Sequence, residues 1–300
     1  MQMKEVLVFG GTRFFGQKAV DLLLEKDYKL TIATRGNSSH SFGDKVNHII
    51  VDRSDKNHPG WKEIASKQWE AIFDNICFTK EDARVAIDHL EGKTNYYLLT
   101  STLAVYAGAK EGYQETDFEP QTYVIDPEKE VDYGEGKRQA EAVLTQESSF
   151  NLGILRIPIV LDDDDYTERL HYYVEKALNN EEIVLNNPDA KVSFIKGSDA
   201  AGVITWMIEN QKAEIFNASA TDALTVEELM GWIGEGIGTE LKVIYRPEET
   251  KPSPFSLQHN SYLLPDQVIN AGFDLPSLSS WLKPLIKRIG QQKKIEGKNE

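Results

Sequence analysis

Within the first sixteen residues a short β-rich run, Lys4 to Phe9, meets Gly10-Gly11 and then Gly16, and an amphipathic helix reads from Gln17 to Glu25. A strand that passes through a glycine turn into a helix commits the chain to a βα unit, whose next strand must lie parallel to the first. The rhythm continues down the chain. Strands read at Lys29 to Thr34, His48 to Val51, Trp69 to Asn75, Tyr96 to Thr100 and Leu152 to Ile157, with helices at Lys80 to Leu90 and Tyr133 to Gln146. Tyr96 to Thr100 is nearly all apolar or aromatic, as expected of a strand covered on both faces. The expected fold is α/β, a doubly wound parallel sheet with a smaller C-terminal substrate lobe. The stretch 1–160, completed by about 194–216, would form the sheet domain. Residues 161–193 and 217–288 would form the lobe, and the lysine-rich end, 289–300, a flexible tail. In the lobe, helices read from Thr167 to Leu178 and from Thr225 to Gly236, the second opened by Thr225 and Glu228 at capping-box spacing.

Gly10, Gly11 and Gly16 sit where the first strand hands over to the first helix, the position of the Rossmann phosphate turn. Backbone N–H groups and the positive helix end there suit a pyrophosphate, and missing side chains let it come close. The end of the second strand selects the dinucleotide. A carboxylate would bind a ribose 2′-hydroxyl, whereas a 2′-phosphate wants cations. This chain has Arg35, with Asn37 and Ser38 as further donors, and no acid; Arg13 lies within reach in the turn. The expected cofactor is NADP(H) in preference to NAD(H). Asp52, after the third strand, is placed either to accept a bond from an adenine amino group or simply to form a turn.

Tyr133-Gly134-Glu135-Gly136-Lys137 spaces a phenol and an ammonium one helical turn apart, on one face. A nearby cation favours the phenolate and so suits the tyrosine to proton transfer. Thr100-Ser101-Thr102 ends the fifth strand, at the carboxyl edge of the sheet where open α/β folds bind ligands.

These segments together resemble the extended short-chain dehydrogenase/reductases, the epimerase/dehydratase group, over most of the chain. The turn Phe9-Gly10-Gly11-Thr12-Arg13-Phe14-Phe15-Gly16 is similar to the family's T-G-x-x-G-x-x-G. Leu99 to Tyr106 resembles its strand-five motif, and Tyr133 with Lys137 its Tyr-x-x-x-Lys pair. Leu155-Arg156-Ile157-Pro158 and Phe216-Asn217 resemble two further family segments. The Gly-Gly-Thr-Arg-Phe form is closest to a branch that includes the chloroplast stem-loop-binding proteins. The resemblance implies a general acid/base role for Tyr133, a ribose-holding and tuning role for Lys137, and a substrate hydrogen bond from Thr102. It sets Gly10 to Gly16, Thr100, Tyr133, Lys137 and Pro158 against the cofactor, and it implies hydride exchange with a carbonyl, alcohol or sugar-type small molecule.

Three positions depart from the pattern. Arg13 replaces the middle glycine of the turn, Asp162-Asp163 replaces a Gly-Pro, and Val192 stands where sugar-nucleotide epimerases tend to carry arginine ahead of Phe194-Ile195. The departures weaken the expectation of a nucleotide-sugar substrate more than those of fold and cofactor. An alternative from another class is a non-catalytic NADP(H)-binding protein, or one that binds RNA or a protein partner. A net charge of −15 argues against nucleic acid. A single cysteine, Cys77, suits a reducing cytoplasm and reads as a small core residue. No histidine spacing suits a catalytic metal, no apolar run suits a membrane span, and the first strand starts too early for a signal peptide. Asp162 to Asp165 reads as a solvated loop, and Arg169 with Tyr172 as lobe residues that face substrate or pack. A homodimer is in keeping with the family.

Overall fold

The strand β1 (Glu5–Phe9) buries Val6, Leu7, Val8 and Phe9 completely. Successive strand residues point to opposite faces, so an unbroken apolar run needs a cover on both sides of its sheet. Leu7 and Phe9 pack into a core with Trp61, Ala86 and Val143. These come from the helices α2 (Pro59–Ala65), α3 (Lys80–Leu90) and α4 (Tyr133–Glu147). Val8 points the other way, toward Val20 of α1 (Phe14–Glu25), and α1 packs on the helix Gly197–Asn210.

Five more strands follow β1: β2 (Lys29–Thr34), β3 (Val46–Ile50), β4 (Ala71–Asp74), β5 (Tyr97–Thr102) and β6 (Leu152–Ile157). With Ile215–Asn217 they form a seven-stranded sheet in the order Ile215–Asn217, β6, β5, β4, β1, β2, β3. Every pairing in it is parallel. The winding therefore reverses between β1 and β4, and in such a sheet the carboxyl ends of those two strands flank the ligand crevice. The computed structural model describes residues 4–37, 40–248 and 253–296. Two boundaries differ from the sequence pattern in ways that matter. The first helix starts at Phe14, inside the glycine turn, rather than at Gln17, and β5 runs on to Thr102.

The chain divides into two compact units. One holds the sheet and comprises Met1–Ala107, Glu115–Ile157 and Gly197–Ala218; the other comprises Gly108–Gln114, Pro158–Lys196 and Ser219–Glu300. In the second unit, Phe194–Lys196 pairs with Ile159–Leu161 and Lys242–Tyr245 with Glu182–Leu185, both parallel. Its core gathers Leu170, Tyr173, Phe194, Leu229, Ile233 and Leu282. Thr225 caps the helix Val226–Ile237 in a full capping box with Glu228.

The final helix corrects the expectation of a flexible tail from residue 289, because it runs unbroken over Leu278–Glu296. Ile289 is fully buried. A Cβ on Gly290 would stand 2.7 Å from the Ile237 side chain, and one on Gly236 would stand 2.7 Å from that of Ile286. Two glycines facing two isoleucines bring these helices close together. Lys293 then pairs with Glu175 at 2.7 Å, and Lys294 donates to the Ile237 carbonyl. The acidic run is corrected as well: Asp162 and Asp165 are buried, and Asp163 holds Arg288 through two bonds of 2.8 and 2.9 Å. Tyr172 lies against the same core and shares a hydroxyl contact with Ser253.

Candidate functional site

The glycine turn is built from backbone conformations that few residues adopt. Gly10 and Gly11 have φ of 87° and 76°, in the region that suits glycine. A Cβ on Gly11 would stand 2.7 Å from Val8, and one on Gly16 would stand 3.0 Å from Nδ2 of Asn75 and 3.2 Å from the Gly11 Cα. Arg13 is extended, at φ −142°, so the substitution of the family's middle glycine costs no backbone strain. The strain falls on Phe14 instead, at φ 52°. A bulky residue held there costs on the order of 1–3 kcal/mol, a cost that persists where the surroundings enforce it. Phe14 is buried against the ring of Phe15. Thr12 is partly exposed in the turn, and Arg13, exposed, occupies the cap position of α1.

At the ends of β2 and β3 a cavity of about 360 Å³ is lined by Arg35, Asn37, Ile50, Asp52, Asp55 and His58. Ile50 is 58% exposed, an apolar side chain turned outward beside Gly36. Asp52 accepts from the backbone N–H and hydroxyl of Ser54 at 3.0 and 2.7 Å, so the turn-forming reading holds for one of its oxygens. The Ser54 hydroxyl, then its N–H, hold the Asp52 carboxyl below the usual carboxylate range. Ser38, expected beside Arg35, lies outside the described residues.

The start of α4 carries the Tyr-x-x-x-Lys pair. Both glycines of Tyr133-Gly134-Glu135-Gly136-Lys137 are required by close approach. A Cβ on Gly134 would stand 2.5 Å from the Ala104 carbonyl, and one on Gly136 would stand 2.7 Å from that of Phe78. The helix thus settles directly on the turns after β5 and β4. Tyr133 is 56% exposed, whereas Lys137 is buried and donates to the carbonyls of Cys77 and Thr100, each at 2.7 Å. Burial lowers the Lys137 pKa. Phe78 borders both residues. Its ring centroid is 4.8 Å from the Lys137 ammonium and 6.4 Å from that of Tyr133. Thr102 accepts the Ala104 N–H at 3.2 Å, which leaves its hydroxyl hydrogen available to donate. Among the described residues, the Thr100 hydroxyl and Oδ1 of Asn75 are buried polar atoms with no hydrogen-bond partner. Cys77 is buried, and burial pushes its thiol up to about 12, in keeping with a core role.

Two buried ionic clusters lie close enough to Lys137 to act on its charge. Arg53 donates to Asp74 at 2.5 Å, and Asp74 also accepts from the Tyr97 hydroxyl and the Ile76 N–H. Arg156 directs its donors to Glu141 and Tyr106 and to the carbonyls of Glu115 and Phe118. Tyr106 in turn donates to Asn217 at 2.6 Å, which joins the Leu-Arg and Phe-Asn segments in one network.

Glu135 lies beneath the loop before α4 and accepts from Lys129, Tyr123, Gln139 and Arg138. Burial alone would raise its pKa, but those four bonds outweigh it and hold the carboxyl at about 2 against an ordinary 4.5. A depressed carboxylate stabilises the fold above its unfolded pKa, and that share is lost as pH falls through the folded one. Urea midpoints should therefore show the advantage of the native protein over Glu135→Gln shrinking between pH values of about 4.5 and 2. A constant advantage across that window would mean the carboxylate is not so held.

Of the expected site residues, Gly10 to Gly16, Thr100, Thr102, Tyr133 and Lys137 all belong to the sheet unit, whereas Pro158 is the first residue of its segment in the other unit. Sequence pattern did not single out Ile50, Asn75 or Phe78. An apolar residue at a strand's carboxyl end, followed by a polar loop, was the only available signal. Among the described residues no cluster of His, Cys, Asp or Glu forms a metal site, and no helix is long and apolar enough to cross a membrane.

A glycine turn at the reversal of a parallel sheet, in one unit with a tyrosine and a buried lysine one helical turn apart, defines a Rossmann-fold protein of the short-chain dehydrogenase/reductase type. The chain belongs to the NAD dependent epimerase/dehydratase family, whose model matches residues 6–219. Among curated proteins it is 23% identical over 281 residues to the chloroplast stem-loop binding protein of 41 kDa b of Arabidopsis thaliana, covering 85% of this chain and 71% of that one. Its fold is shared with the UDP-glucose 4-epimerase of Thermotoga maritima, solved with UDP-glucose (TM-score 0.71, 17% identity, 97% of this chain and 99% of that one). It is shared also with the UDP-glucose 4-epimerase of Thermus thermophilus, solved with NAD (TM-score 0.69, 17% identity, 96% and 98%).

Proposed function

We propose that this protein is an NADP(H)-dependent enzyme that oxidises or reduces a carbinol or carbonyl carbon of a small molecule, either as a net reductase or as a step of epimerisation or dehydration. The observation that carries the proposal is the buried Lys137, on the same helix as the half-exposed Tyr133 and bonded to the carbonyls of Cys77 and of Thr100, in the strand that ends at Thr102.

The residues present fit a dinucleotide. A side chain at Gly11 or Gly16 would crowd Val8, Val20 or Asn75, so the turn closes only with glycine, and the orphaned polar atoms of Thr100 and Asn75 want partners. Gly10, Gly11 and the N-terminus of α1 would take the pyrophosphate. Arg35, with Asn37, would take the 2′-phosphate, and the outward face of Ile50 would lie against the adenine. When bound, the nicotinamide supplies the hydride acceptor or donor.

The chain's own residues do the rest. Tyr133 gives a proton to the reacting oxygen or takes one from it. Thr102, oriented by the Ala104 N–H, donates its hydroxyl hydrogen to the same oxygen. Lys137 holds a fixed positive charge one turn below, where it favours negative charge on the phenol oxygen. A homodimer in the cytoplasm acting on a small molecule is the setting this reading implies.

Arg35→Ala tests the cofactor assignment. NADPH affinity should fall on the order of tenfold or more, since a charge-assisted phosphate contact is lost, while NADH affinity changes little. Equal losses for both would remove Arg35 from the 2′-phosphate.

A further inference from the structure

Phe78 is a large apolar side chain left 45% exposed at the carboxyl edge of the sheet, with its ring against both members of the Tyr133–Lys137 pair. It does not stand alone. The Val131 side chain would lie 3.7 Å from a Cβ on Gly136, the same point that the Phe78 carbonyl approaches, and Val131 is 51% exposed. Phe78, Val131 and Tyr133 therefore form an outward apolar surface around the first turn of α4.

The cations of α4 and of the loop before it at Lys129 are already engaged. Lys137 is buried and bound to two carbonyls. Arg138 is taken up by Glu135 and by the carbonyls of Ala104 and Val105, and Lys129 is taken up by Glu135. The surface beside the phenol thus offers a flat aromatic face and a branched aliphatic one, while both cations of α4, Lys137 and Arg138, are taken up and do not serve to neutralise a diphosphate. Exposed aromatic area next to a reacting group contributes through apolar burial and ring stacking.

Building on the function proposed above, we infer that Phe78 is a specificity-determining residue, the aromatic wall against which a flat, apolar carbonyl or alcohol substrate lies, and that it disfavours nucleotide-diphosphate sugars. Its backbone is pinned independently of its ring, since the Phe78 N–H donates to Asp82 at 2.9 Å and its carbonyl supports Gly136. Shortening the side chain therefore leaves the support of α4 intact.

The test uses the full chain with NADP⁺ and two probes, acetophenone and UDP-glucose, followed by saturation-transfer NMR titration. Acetophenone should receive saturation from the native protein and UDP-glucose should not. Phe78→Ala should weaken the apparent acetophenone affinity on the order of tenfold, with Phe78→Leu in between, while melting temperatures stay near the native value. Saturation of UDP-glucose without acetophenone, no acetophenone saturation at all, or an acetophenone affinity indifferent to Phe78→Ala would each overturn the inference. The NADP⁺ resonances in the same samples report separately on the cofactor reading. Absence of any NADP⁺ binding heat in a parallel calorimetric titration would remove that reading, while the acetophenone arm would still decide the role of Phe78.

Discussion

Tyr133→Phe should lower turnover by about 10²–10⁴-fold, the range expected when a positioned acid/base is removed, while NADPH affinity stays within about twofold. The change deletes one hydroxyl and nothing else. The ring keeps its place beside Phe78, and the helix keeps its cap, because Asp132 still accepts the Glu135 N–H at 2.7 Å. Tyr133 is 56% exposed, so the lost hydroxyl leaves no cavity and stability should hardly move. The separation of turnover from stability and from cofactor binding marks an acid/base rather than a packing residue. Lys137→Met should behave differently, because it removes a buried ammonium that two carbonyls were oriented to meet, and so should lower both turnover and melting temperature. Full turnover in Tyr133→Phe would remove the residue from the chemistry.

The second large effect concerns stability. Arg156→Met should destabilise the fold by about 3–5 kcal/mol in urea titrations, the range for breaking a buried pair from one side. Arg156 and Glu141 are fully buried, and their closest contact is 2.6 Å. Losing the guanidinium leaves the Glu141 carboxylate with the Ser101 hydroxyl as its other bond, and takes a donor from each of the carbonyls of Glu115 and Phe118. Pairing Arg156→Met with Glu141→Leu should recover part of the loss, because an apolar pair leaves no uncompensated charge. A single substitution costing less than about 1 kcal/mol would mean the network is incidental, since such a value belongs to exposed pairs.

How much of this was legible beforehand depends on what each segment's structure rests on. β2, α3 and β6 have the bounds that pattern alone suggests, because their apolar spacing and flanking turns are local. The glycine turn and the placing of Tyr133 and Lys137 on one helix were legible for the same reason, being spacings of a few residues. The start of α1 was not, since a helix beginning at a left-handed Phe14 contradicts the usual conformational preference of a bulky residue. The last helix was hidden by its lysines and by Pro284, and its order comes from Glu175, Gly236 and Ile237, all distant in sequence. Asp162 and Asp165 read as solvated because burial of a carboxylate is a tertiary property. Phe78 was passed over because nothing in its own neighbourhood of the sequence says that α4 will settle against it.

The most direct measurement is a calorimetric titration of the full chain with NADPH and, separately, with NADH. On the function proposed for the turn at Gly10 to Gly16 and the cavity at Arg35, NADPH should bind on the order of tenfold or more tighter than NADH. Binding of neither dinucleotide, or tighter binding of NADH, would contradict the account.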